Sequence, residues 1–438
     1  MSRDRPLTLP HALALVVSSM VGTGVFTTAG FMLGGLGSPR LVLGTWALTG
    51  VLALAGAAVY AELGAMMPRA GGEYVYLSRA FHPVLGFLSG FVALVVGFAA
   101  PVAAGALAFG GYLQTLAPGV SPRAAAFALV GLTTALHARE VRRAGIAQAA
   151  VTALVVLVIV VFIVAALASG HADWSRLAAA PAAGTGTAGA LAVSLVYTAY
   201  SYFGWNGAAY VAGEIRDPHR TLPRALVGGA ALVTALYVAL NAVFLASAPA
   251  SALTNQVEVA HVAALALFGP RGGTLLTALV ALALAGSVSA LSMTGPRVVK
   301  AMADDGVFFR ALGRTNARGA PTFAVLLQGA LAALGVATAA FEPLLVYAGF
   351  TLSLSAAVTV AGAFVLRRRE PDAPRPHRAL AWPWSGLAFL ALSAFMTVFA
   401  IRERPLESLA GLATLAAGGL AWALWRRRSG ATPADRPR

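Results

Sequence analysis

Twelve stretches of this chain are each long and apolar enough to cross a lipid bilayer as a helix, and that repetition leaves few folds open. A helix needs about 20 mainly apolar residues to span the hydrocarbon core. The stretches fall at residues 11–36, 41–67, 83–113, 122–138, 143–169, 187–213, 223–247, 271–302, 321–340, 343–366, 383–401 and 406–425. In lipid every backbone N–H and C=O must find a partner within the protein, so helices are expected rather than open strands. Charge is scarce enough to agree. Asp, Glu, Lys and Arg make up 11% of the 438 residues, where a soluble domain carries about 25%. No polar linker divides the chain, so one all-α integral membrane protein is expected.

The sparse charges also set an orientation. With the N-terminus inside, 25 of the 31 Lys and Arg residues fall in interior segments. Only Arg40, Arg123, Arg176, Arg271, Arg402 and Arg404 fall outside. Cytoplasmic loops carry this excess of positive charge, and omitting one span would invert every later loop and erode it. Twelve spans with both termini cytoplasmic are therefore expected, in the cytoplasmic (inner) membrane. The net charge of +15 is spread over short loop clusters. It forms no continuous basic face, so nucleic acid is not an expected partner. Arg3 and Arg5 precede an apolar run as in a signal peptide, but the run continues past Gly30 without a cleavage pattern. A retained first span is expected. There is no cysteine, which excludes disulfides, thiol catalysis and Cys-ligated metal.

Two of the twelve runs contain helix breakers near their middles. The first holds Met20-Val21-Gly22-Thr23-Gly24-Val25-Phe26, and the sixth holds Tyr200-Ser201-Tyr202-Phe203-Gly204-Trp205-Asn206-Gly207. Glycine lets the backbone leave the helix and bare its own donors and acceptors. Unpaired backbone is tolerated at membrane depth only where it meets protein or lines a cavity. Freed N–H groups of Thr23 and Gly24, at the positive end of a half-helix, suit a carboxylate. Freed carbonyls around Tyr200, Ser201 and Phe203 suit an ammonium group. One break for each charge describes a site for a zwitterion, the chemistry of an α-amino acid. Glycines in membrane helices also serve plain close packing. What favours a ligand site is that spans one and six correspond if the first five spans are repeated, inverted, by the next five.

Four stretches then carry a family likeness: Met20 to Phe26; Tyr60-Ala61-Glu62-Leu63-Gly64 running on through Pro68-Arg69-Ala70-Gly71-Gly72-Glu73-Tyr74-Val75-Tyr76-Leu77; Gly204-Trp205-Asn206 with Glu214 and Pro218 to Pro223; and Arg297 with Ala301 to Gly306 and Ala320-Pro321. In this order they resemble the amino acid–polyamine–organocation (APC) superfamily of permeases over nearly the whole chain. The resemblance implies a LeuT-type 5+5 inverted repeat with discontinuous first and sixth spans and two extra C-terminal helices. It implies a cytoplasmic segment 1–10, a transport core 11–366, a cytoplasmic loop 367–382, spans eleven and twelve within 383–425, and a cytoplasmic tail 426–438. By the same likeness the substrate site is Met20, Gly22, Thr23, Gly24, Tyr200, Ser201, Phe203 and Asn206, with Met20 and the sixth-span carbonyls on the amine and Tyr200 as a gating aromatic.

The chain also departs from the family. The fifth-span lysine of proton-coupled members is replaced by Val155, and no ionisable residue lies between Gly145 and Gly170. Ser289 and Ser292 in the eighth span are candidates for an ion site, though serines there also pack helices. Proton coupling, sodium coupling and exchange all stay open. No buried carboxylate suggests itself for a cationic tail, so a neutral amino acid is expected. A cationic amino acid or polyamine carrier of the same superfamily is the alternative. A channel would need a filter loop or charged ring, and an enzyme a catalytic cluster; the scattered histidines supply neither. The expected partners are the amino acid and the bilayer, with no cofactor, metal or obligatory protein partner.

Overall fold

The computed structural model describes residues 7–139, 144–180, 185–306 and 308–429, the side chains of 144–151 and 428–429 excepted. Residues 1–6 and 430–438, which charge assigns to the cytoplasm, lie outside the described residues.

The chain begins with α1 (Leu9–Met20) and α2 (Gly24–Leu36), bent by 40° across a short break. Gly37 closes α2 in the left-handed conformation (φ 62°), the geometry glycine takes up most readily. Pro39 then opens α3 (Pro39–Met66), where a missing N–H is harmless. A short α4 (Glu73–Ala80) precedes α5 (Pro83–Val92), whose His82 side chain accepts from the Val84 amide at 3.2 Å. α5 continues into α6 (Ala100–Leu116) through a wider π turn at Ala93–Ala99. Pro101 explains that turn: its ring cannot fit under the carbonyl four residues earlier, so the helix widens.

α7 (Pro122–Arg139) and α8 (Ala144–Ser169) follow, then α9 (Ala188–Tyr202), whose Thr187 hydroxyl accepts from the Ala190 amide at 3.1 Å. Past α9 the backbone turns at Phe203 to Asn206 and resumes as a 3-10 segment, Gly207–Glu214, tighter than the α-helix the sequence suggests. The rest comprises α10 (Pro218–Ser247), a single turn α11 (Ala250–Leu253), α12 (Val259–Asp304), α13 (Thr322–Thr338), α14 (Phe341–Arg369), α15 (Trp384–Glu403) and α16 (Pro405–Ser429). α12 begins well before the expected residue 271, because helix precedes the kink at Gly269 (φ 72°) as well as following it.

Among the described residues, eight helices are long and apolar enough to cross a membrane, or nine with α1 and α2 taken as one broken span. The other expected runs fall on α7, on α9 with its 3-10 continuation, and on α13, which is apolar but only 17 residues long. Leu132, Leu157, Leu275, Leu334, Leu409 and Leu420 are exposed, as lipid-facing residues must be. Inside, α1 packs on α10, α2 on α9, α3 on α10 and α12 on α6. The core therefore gathers around the two interrupted helices.

Candidate functional site

Each break is pressed against the other helix by a glycine. A Cβ added to Gly24 would stand 2.1 Å from Ser201 Oγ and 2.8 Å from Ser201 Cα. A Cβ on Gly204 would stand 2.2 Å from the carbonyl oxygen of Ser19. The first break thus rests on the backbone of α9, and the second on the backbone of α1. Gly204 also needs its freedom for conformation, at φ 111°. Both serines turn their hydroxyls back to their own helices, Ser201 Oγ donating to Tyr197 O at 2.9 Å and Ser19 Oγ to Leu15 O at 2.8 Å.

Around the first break, polar side chains pin the backbone without consuming it. Among the described residues the amides of Thr23 and Gly24 donate to no other backbone group. Thr27 and Thr28 donate to the carbonyls of Thr23 and Gly24, each at 2.9 Å, which fixes the first turn of α2. The Tyr237 hydroxyl, from α10, donates to Met20 O at 2.7 Å, and that of Tyr112, from α6, to Phe26 O at 3.0 Å. A carbonyl has a second lone pair, so Met20 O keeps one acceptor position. Thr23 Oγ1 and Tyr200 Oη lie 3.2 Å apart in the interior, which bridges the two breaks directly.

The structure brings Met20, Gly22, Thr23, Gly24, Tyr200 and Ser201 to one place, with Phe203 at the adjoining end of α9, and gives the side chains of Asn206, Ser289 and Ser292 partners elsewhere. Phe203 is half-buried at the C-terminal end of α9, its amide donating to Tyr200 O at 3.2 Å. Asn206 donates to Glu73 Oε1 at 3.1 Å. Ser289 and Ser292 lie on the side of α12 that meets α7: Ser289 Oγ is 2.9 Å from His137 Nε2, and Ser292 donates to Thr133 Oγ1 at 3.4 Å. The α12 hydroxyl beside the first break is that of Ser287, 3.5 Å from where a Gly22 Cβ would stand. Val155 is buried in the apolar core.

Sequence reasoning did not single out Tyr237, Tyr112 or Glu73. Tyr237 had a signal, the single tyrosine of the seventh run. Toward the N-terminal end of α9, Phe31 packs on Tyr197 and Phe341 with ring centroids 6.0 and 6.2 Å apart. There Glu342 accepts from Tyr197 at 2.5 Å and pairs with Arg404, which joins α9, α14 and the turn before α16.

Two broken helices, each exposing main chain at the other and jacketed by lipid-facing helices, define a multi-pass membrane transporter. A family model described as amino acid permease matches residues 7–414. The chain belongs to that family, within the APC superfamily, and is a secondary transporter of amino acids, not an enzyme. It is 30% identical to the large neutral amino acids transporter small subunit 2 of Rattus norvegicus, over 94% of this chain and 78% of that protein. It is 28% identical to the serine/threonine exchanger SteT of Bacillus subtilis (strain 168), over 89% of each. With the Asc-type amino acid transporter 1 of Mus musculus it shares 28% identity, over 94% of this chain and 79% of that one.

Proposed function

We propose that the protein carries neutral amino acids across the cytoplasmic membrane by alternating access around the two breaks. In this reading twelve spans form a 5+5 inverted repeat over 11–366 with two further helices in 383–425. Residues 1–10, 367–382 and 426–438 are cytoplasmic. The amides of Thr23 and Gly24 hold the substrate carboxylate. The carbonyls of Met20, Tyr200, Ser201 and Phe203 hold its ammonium group, and Gly22 keeps the turn between them open. Tyr200 closes over the substrate, releasing Thr23 as it moves. Asn206 acts on the site through the second break, and Ser289 and Ser292 are the hydroxyls offered to a coupling ion.

The observation that carries this reading is the reciprocal seat of Gly24 on Ser201 and Gly204 on Ser19. It brings the two breaks against one another, which supports a site between them for the two charged ends of a zwitterion. A neutral side chain is favoured by the acids available: Glu62 and Glu73 are the buried carboxyl groups among the described residues, and both are bonded elsewhere. The names of the relatives point the same way, to large neutral amino acids and to serine and threonine.

Purified protein in liposomes, preloaded with unlabelled substrate, tests the proposal. Labelled leucine, serine and threonine should enter against the same substrates inside, and arginine and putrescine should not. Preferential uptake of either cation would overturn the neutral assignment. Imposed sodium and proton gradients in the same vesicles separate coupling from exchange.

A further inference from the structure

Glu73 sits at the start of α4, only 5% exposed, where four segments converge. Tyr60 of α3 donates to its Oε1 at 2.6 Å, Asn206 of the second break to the same oxygen at 3.1 Å, and Ser355 of α14 to Oε2 at 3.3 Å. All three donors are neutral. The titratable groups that face it are phenols: Tyr60 from α3, Tyr76 from α4 and Tyr210 from the 3-10 segment. Among the described residues no Arg, Lys or His forms an ion pair with it. Glu62 shows the contrast, for that carboxylate is gripped by Arg367 and Arg375.

A second observation concerns the partner. Asn206 is 1% exposed, and its Oδ1 has no hydrogen-bond partner; the Tyr76 hydroxyl is buried and equally unpartnered. Leaving a buried acceptor unpaired is costly, because it has lost its water without gaining a partner. Against a carboxylate, Asn206 can use only its NH2 group. Against a carboxylic acid, rotating the amide would let Oδ1 accept the new O–H. The cluster therefore holds one acceptor that a proton on Glu73 would satisfy.

We propose that Glu73 binds and releases a proton during transport, and that the Asn206 carboxamide passes its charge state to the second break. The carboxylate takes its proton from hydronium, releasing water, and returns it to water when the cluster opens. Burial pushes the Glu73 carboxyl above its ordinary range, against the pull of its three donors. The closed arrangement thus holds the proton to higher pH than a hydrated one does. Acid favours closure, and rising pH favours opening. This inference rests on the alternating-access reading, and it supplies a titratable group to a carrier with Val155 in its fifth span.

The test is exchange of a labelled neutral amino acid in liposomes, with internal and external pH matched, from about pH 5 to about pH 9. Below its midpoint the wild-type rate should rise by about tenfold per pH unit. Glu73→Gln, fixed in the uncharged form, should be flat. Ser355→Ala removes a donor to the charged form and should move the midpoint upward. In wild-type protein an infrared titration should show a carboxylic acid carbonyl band that disappears over the same range and is missing from Glu73→Gln. A Glu73→Gln profile that keeps the wild-type slope overturns the proposal, and so does a Ser355→Ala midpoint that stays put. Should the infrared band titrate while no amino acid exchanges at any pH, the proton site stands and the carrier reading falls.

Discussion

A single methyl group separates the two uses of glycine in these helices. Gly24→Ala would drive a Cβ into Ser201, 2.1 Å from its Oγ and 2.8 Å from its Cα, whereas the same change at Gly44 meets nothing within 4 Å. Overpacking of this kind costs about 1–3 kcal/mol, and here it would act by parting α2 from α9. We expect Gly24→Ala to weaken amino acid binding by about tenfold or more, with Gly44→Ala binding as wild type. Equilibrium binding of a labelled substrate to purified protein decides it; equal affinities would remove Gly24 from the site. Tyr200 separates binding from motion. Tyr200→Phe loses only the contact with Thr23, so affinity should change by less than about tenfold. Tyr200→Ala loses the ring that closes the site, so turnover should fall further than affinity, and unchanged turnover would end the gating role. The glycines could be read from the sequence because they violate the helical pattern in their own runs. Glu73 and Tyr237 could not be singled out that way. Their importance comes from what they touch across more than a hundred residues of chain, and nothing local to either records it.

At the scale of elements, hydropathy located the eight helices, or nine with the broken first span, that are long and apolar enough to cross a membrane among the described residues, since lipid demands an apolar run of nearly fixed length. It failed at helix ends. The Gly269-Pro270 pair reads as a boundary, yet helix continues on both sides of the kink, giving α12 its 46 residues. The second half of the sixth run reads as α-helix, yet Gly207–Glu214 winds as 3-10 beside a backbone contact at Ser19. Both are tertiary decisions. So is the anchoring of the segment between α14 and α15. Glu62, at the end of α3, accepts from Arg367 at 2.9 and 2.5 Å and from the Ala379 amide at 2.7 Å. Arg375 lies 3.5 Å away, and the Arg367 guanidinium sits 4.2 Å over the Trp382 ring. Taking one partner from a buried ion pair costs about 3–5 kcal/mol. Because Arg375 and the amide remain, Arg367→Ala should destabilise by about 3 kcal/mol. The melting temperature of the detergent-solubilised protein should fall clearly, while Arg368→Ala on the same turn should leave it nearly unchanged. Equal melting temperatures would mean that Glu62 does not depend on this pair.

For the whole molecule the governing quantity is the uneven placement of charge. Moving Lys or Arg through hydrocarbon costs about 2.5–3.5 kcal/mol each, so the twelve expected spans, which would put 25 of the 31 basic residues on one side, would give the chain a strongly preferred way in. The packing of α1 on α10 and α2 on α9 is the same whichever face is cytoplasmic. We propose that charge, and not the fold, fixes the topology. The absence of cysteine makes that separable by experiment, because any single cysteine introduced is the sole reactive thiol. Ala180, exposed before α9, is assigned outside, and Asp372, exposed after α14, is assigned inside. In intact cells a membrane-impermeant maleimide should label Ala180→Cys and spare Asp372→Cys until the membrane is opened. The reverse pattern would turn the molecule over. It would then place the Glu73 cluster and the Glu62 anchor on the outer face, where the rise of exchange rate with pH would have to answer to external rather than internal protons.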